Sequence, residues 1–222
     1  MRLCFGLAAL LVSVSLLAGQ ARAVSILAPG DAIIAIDTDG LVPSGNSSTP
    51  GSGNENAPFA FDGNNGTKYL NFGETNSGVI ITPAGGPTIV ESFRIVTGGD
   101  APERDPFSFM LWGTNDPITS TNNSFGLNEN WVLIDGFDLT GALELPAARG
   151  ALGPLVDFNG GGVAYSSYKL LFPTVRDANA ANSMQVAEIQ FFTYDAGASP
   201  NVFLNPSQAI AIDYDGLIQN SN

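Results

Sequence analysis

The stretch Ala60-Phe61-Asp62-Gly63-Asn64-Asn65-Gly66-Thr67-Lys68-Tyr69-Leu70-Asn71-Phe72 decides the fold when read with Val186-Ala187-Glu188-Ile189-Gln190-Phe191-Phe192 far downstream. The first segment is a turn rich in oxygen donors between apolar residues. The second is an apolar strand interrupted by one carboxylate, Glu188. Hard cations such as Ca²⁺ take about six to eight oxygens, mixing carboxylate, hydroxyl and backbone carbonyl. Asp62, the Asn64 carbonyl, Thr67 and Glu188 would supply several of these if the two segments meet. Without a metal, Asp62-Gly63-Asn64 reads as a tight turn, which those residue types also favour. The two readings differ on Glu188. A buried carboxylate with no partner costs several kcal/mol, which a cation would offset.

Working outward, the flanks on both sides carry short apolar runs with β-branched and aromatic residues. Gly78–Thr82, Ile89–Thr97, Phe107–Trp112, Trp131–Ile134, Ser167–Phe172 and Met184–Phe192 read as strands. In Ser92-Phe93-Arg94-Ile95-Val96 the alternation puts Phe93 and Ile95 on one face and Arg94 on the other. Tyr168, Leu170 and Phe172 alternate in the same way with Lys169. Gly-, Asn-, Asp- and Pro-rich turns separate the runs, and no long amphipathic pattern interrupts them. The expectation is an all-β, antiparallel sandwich.

The chain opens with Arg2, an apolar run from Leu3 to Ala18 and the small-x-small pattern Ala21-Arg22-Ala23. That reads as a secretory leader, residues 1–23, too short and wrongly flanked for a membrane anchor. No later apolar run approaches the ~20 residues a membrane helix needs. The expected product is exported: extracellular, on the cell surface or periplasmic. The single cysteine, Cys4, leaves with the leader, so the rest can form no disulfide and would draw stability from a bound metal instead.

The formal net charge is −13, and losing Arg2 and Arg22 makes the remainder more acidic. Such a surface repels phosphate backbones and anionic lipid, so nucleic-acid binding and membrane insertion are not expected. With no histidine and no cysteine past the leader, Ser-His-Asp and Cys-His catalysis and His-ligated zinc are excluded. The glycines at 160–162 lack a P-loop lysine. Asp37-Thr38-Asp39-Gly40 has no glutamate at the last position of an EF-hand loop.

Residues 24–58 hold an N-terminal strand and a Gly/Ser/Pro-rich loop, 59–195 the sandwich, and 196–222 a linker leading into a repeat. The repeat is Leu27-Ala28-Pro29 with Ile34-Ala35-Ile36-Asp37-Thr38-Asp39-Gly40-Leu41. It returns as Leu204-Asn205-Pro206 with Ile210-Ala211-Ile212-Asp213-Tyr214-Asp215-Gly216-Leu217. It reads as the opening of a second copy.

Ala60–Asn71, Asp105–Asp116 and Val186–Phe192 together resemble the discoidin-type, galactose-binding-like superfamily. That superfamily includes coagulation-factor C-type domains and family 32 carbohydrate-binding modules. The resemblance covers roughly residues 26 to 195 and implies a jelly-roll sandwich of about eight strands. It implies a structural calcium held by the Phe59 carbonyl, Asp62, the Asn64 carbonyl, Thr67, the Ala187 carbonyl and Glu188. It implies a glycan or cell-surface ligand met by loops at one end, with Tyr69, Asn71, Arg104 and Asp105 as candidate contacts. An ion pair between Arg104 and Asp105 is the competing reading of that dipeptide, and core packing that of Trp112 and Trp131. The function expected is a secreted, non-catalytic, calcium-stabilised binding module. The alternatives are a structural repeat unit of an extracellular assembly and, less well supported, a glycoside hydrolase.

Overall fold

The computed structural model describes residues 23–28, 30–37, 55–158 and 162–194. The leader, most of the Gly/Ser/Pro-rich loop, the latter part of the 37–40 turn, the first two glycines of 160–162 and the repeat at 204–217 lie outside the described residues.

Two antiparallel sheets face each other. One holds β1 (Ala23–Ser25), β11 (Glu188–Tyr194), β5 (Ser92–Val96) and β8 (Val156–Asp157), in that order. The other holds β2 (Ala32–Asp37), β4 (Ser77–Thr82), β9 (Ser167–Phe172), β6 (Ser108–Thr114) and β7 (Val132–Asp138). A small pair, β3 (Tyr69–Asn71) with β10 (Met184–Val186), flanks them. This is the expected all-β sandwich. The strands ahead of the Gly/Ser/Pro-rich loop belong to it, β2 pairing with β4 and β1 with β11.

The core follows from the alternation. Phe93, Ile95, Ile189 and Phe191 of one sheet pack on Val79, Ile81, Phe109, Leu111, Tyr168 and Leu170 of the other, all buried. Phe93 meets Phe109 across the gap at 4.7 Å between ring centroids, and Phe109 meets Phe137 edge-on at 4.7 Å. Each such ring, fully buried, contributes roughly 1.5–3 kcal/mol. Gly78 is required where β4 crosses β9, because a Cβ there would lie 2.1 Å from the Leu170 carbonyl oxygen.

The run Met184–Phe192, expected as one strand, is two. The chain leaves β3 after Val186 and joins β5 from Glu188, with the Ala187 N–H donating to the Val96 carbonyl at 2.9 Å. The change of partner falls at Ala187 and sets Glu188 at the first rung of β11, opposite Val96.

Lys169 alternates out of the core onto the far face of the five-stranded sheet. There its Nζ lies 4.7 Å from the Trp112 ring and 4.9 Å from the Trp131 ring. Burial lowers its pKa to about 8, with Glu129 pulling it back up. The two indole faces also favour the cation. Trp112 and Trp131 do pack, but against a second, smaller cluster of Ile36, Ile80 and Leu171.

Candidate metal centre and ligand surfaces

A 3-10 turn, Ala57–Phe61, carries Phe59 and ends at Asp62. Gly63 follows with φ of +75°, a left-handed conformation that glycine adopts without a Cβ penalty. The reversal aims the Asn64 N–H at two carboxylates together, Asp62 Oδ1 at 2.8 Å and Glu188 Oε1 at 2.9 Å. Thr67 closes the turn, its hydroxyl 2.9 Å from Asp62 Oδ2 and 2.7 Å from the Asn64 carbonyl. Asp62, Asn64, Thr67 and Glu188 therefore meet, although Glu188 comes from 124 residues downstream of Asn64. Phe59 lies in the turn that leads in, and Ala187 directly precedes Glu188.

Glu188 is only 3 % exposed. Burial pushes its carboxyl up to about 7, and contact with Asp62 adds to this while the Asn64 and Gly63 N–H groups oppose it. No lysine or arginine forms an ion pair with either carboxylate among the described residues, since Lys68 turns instead to Asp100 and Glu55. No group of three or more His, Cys, Asp or Glu side chains forms among the described residues, so the charged part of this site is the one pair. Two carboxylates converging on one N–H, beside a hydroxyl and a carbonyl, fit a hard cation, which would neutralise both and take oxygen ligands from the same turn.

The candidate ligand contacts fare differently. Tyr69 and Asn71 are each 0 % exposed, so neither can present itself to a ligand. The Tyr69 hydroxyl donates to the Gly78 carbonyl at 3.0 Å, and Asn71 Nδ2 donates to that hydroxyl at 2.6 Å and to the Ile36 carbonyl at 3.1 Å. Burial pushes the Tyr69 phenol well above its ordinary range. Asp105 is also wholly buried, and its partner is not Arg104. Arg149 grips it with two N–H···O bonds of 2.7 Å, and Arg176 adds a third at 3.3 Å. Of the four, only Arg104 is partly accessible.

Sequence reasoning missed Gln185, buried in β10. Its Nε2 donates to the carbonyls of Asp100 and Ala101, and its Oε1 accepts from Lys68 at 3.1 Å. Ala101 is left-handed, with φ of 44°, and Gln185 holds it there. Also missed was a cleft of about 500 Å³ on the outer face of the five-stranded sheet, between the start of β2, the end of β4 and the chain after β6. Its lining is scattered in sequence, with Ile34, Thr82, Asp116 and Ser167 drawn from four segments, so no motif could have shown it.

These two sheets and their connections form an antiparallel β-sandwich whose fold has counterparts among solved structures. Among solved structures the chain is similar to the family 32 carbohydrate-binding module of Clostridium perfringens NanJ, a structure in complex with galactose. The TM-score is 0.51 and the identity 12 %, over 78 % of this chain and all of that one. It is similar to the C-terminal domain of a Bacteroides fragilis chitobiase, with TM-score 0.50 and identity 15 %, over 78 % and 99 % of the two chains. It also matches the paired family 32 domains of C. perfringens ZmpB, with TM-score 0.51 and identity 16 %, over 79 % and 43 %. No family model and no curated protein sequence matches.

Proposed function

We propose that this chain is an exported, non-catalytic glycan-binding module whose first turn and last strand are clamped by calcium. The observation that carries the reading is the meeting of Asp62 and Glu188 on a sandwich shared with family 32 modules. Asp62, Glu188 and Thr67 would hold the cation with the carbonyls of Phe59, Asn64 and Ala187. The cation supplies charge neutralisation and a link between the two ends of the domain's sequence. In this reading the two carboxylates, which converge on the one Asn64 N–H, serve the cation and not a hydrolytic reaction.

A glycan array probed with the purified protein, in calcium and in chelator, tests the reading. Binding to one sugar class is expected; an empty array in both conditions overturns it. One observation favours a second reading, a structural repeat unit. Ala35, Ile36 and Asp37 are buried in β2, and the same Ile-Ala-Ile-Asp run recurs at 210–213. Many tandem copies in the complete gene would support it.

A further inference from the structure

We propose that the glycan is taken in the cleft on the outer face of the five-stranded sheet, as a neutral sugar unit; this rests on the glycan-binding reading above. Of the residues that pattern alone nominated, Tyr69, Asn71 and Asp105 are closed by burial, and Arg104 alone does not make a site, so a ligand must be met elsewhere. The cleft offers about 500 Å³, within the usual range for small-ligand sites.

Its floor is aliphatic, made by Ile34 of β2, Ile80 of β4 and Ile118. All three belong to the second apolar cluster that Trp112 and Trp131 complete, so the floor is fixed by packing beneath it. Around it stand polar groups already oriented. Asp116 Oδ2 accepts the backbone N–H of Asn130 at 2.9 Å and its Nδ2 at 2.8 Å. Asp116 Oδ1 has no protein donor among the described residues. Asn115 Oδ1 is held by the Ser166 N–H at 2.8 Å and hydroxyl at 3.1 Å. The Thr82 and Ser167 hydroxyls bond each other at 2.8 Å, which leaves one proton and spare lone pairs to offer.

A pyranose ring matches this arrangement. It presents a C–H face to the isoleucines and hydroxyl donors to the free carboxylate oxygen. Among the described residues Asp116 is the one ionisable side chain lining the cleft, and the chain carries a formal net charge of −13. Uronates and other anionic sugars are therefore repelled. The cleft and the pocket at the Asp62 turn have no lining residue in common.

The test titrates ¹⁵N-labelled protein with galactose, glucose, N-acetylgalactosamine and N-acetylglucosamine, with glucuronic acid as the anionic control. Concentrations reach roughly 50 mM, enough to see millimolar affinity. At least one neutral sugar should shift amides of residues 32–34, 80–82, 115–118 and 166–167, and glucuronic acid should bind at least about tenfold more weakly. Thr82→Trp, which fills the cleft from a partly exposed position, should weaken binding at least about tenfold. Asp116→Asn, which keeps the shape, should admit glucuronic acid, whereas Arg104→Ala should change nothing. Shifts centred on residues 98–105, or unaltered binding by Thr82→Trp, overturn the cleft assignment and leave the glycan reading standing. No shift with any of these sugars, together with an empty array, overturns both.

Discussion

Glu188 is the side chain on which the calcium proposal can be tested. Burial pushes its carboxyl up to about 7, against an ordinary 4.5. A proton is therefore retained in the native state where the unfolded chain has released it. Without metal, this group's contribution is greatest at low pH and is lost as pH rises from about 4.5 through about 7. In chelator, stability should fall across that window; calcium should remove the slope, because the bound cation holds both carboxylates ionised. Denaturant titrations at a series of pH values measure this. Glu188→Gln should flatten the chelator profile and, like Asp62→Asn, abolish the calcium response. A Gln variant with the wild-type profile would refute the assignment. Tyr69 makes the opposite case. Tyr69→Phe leaves the Gly78 carbonyl and one Asn71 donor contact without their buried partner. It should cost about 1–3 kcal/mol by chemical unfolding and leave sugar binding untouched.

At the scale of elements, the alternation of strands was legible, and their pairing was not. Phe93, Ile95, Tyr168 and Leu170 face the core as their period of two requires. Asp62, Asn64 and Thr67 were readable because a turn concentrates its donors within six residues, and Glu188 because a lone carboxylate in an apolar run is conspicuous. Tyr69 and Asn71 misled because a polar residue after a turn looks exposed. Only the pairing of β3 with β10 buries them. Asp105 misled for a similar reason, since its partners lie 44 and 71 residues away. The β6–β7 connection is held by bonds within itself, nine and ten residues apart. Burial pushes Glu129 up, but N–H and hydroxyl donors from Ser120 and Thr119 outweigh it and hold its carboxyl below the ordinary range. That contribution is present above the unfolded pKa and is lost as pH falls through the lower folded one. Glu129→Gln exchanges an acceptor of charge-assisted bonds for a neutral amide. Faster amide exchange at Thr119 and Ser120, with β9 unaffected, is the expected result.

For the whole molecule, a cation that binds only the folded chain acts by mass action. At a hundredfold excess over its dissociation constant it adds about 2.7 kcal/mol. For a domain of this size that raises Tm by roughly 5–10 °C. Scanning calorimetry in calcium and in chelator should show this shift, and identical transitions would reduce the Asp62 turn to a turn and nothing more.

The pairing of β1 with β11 has a mechanical consequence. Ala23 stands opposite Tyr194, so the chain enters and leaves the sandwich at one rung. A pull on the two flanking segments loads that rung alone, then Val24–Thr193, then Ser25–Phe192, as a zipper parts tooth by tooth. Strands pulled from opposite ends would instead share the load across all their bonds in shear. Stretched between its flanks, this domain should therefore yield at low force from that seam, with the Ile26 N–H bond to the Phe191 carbonyl as the next to part.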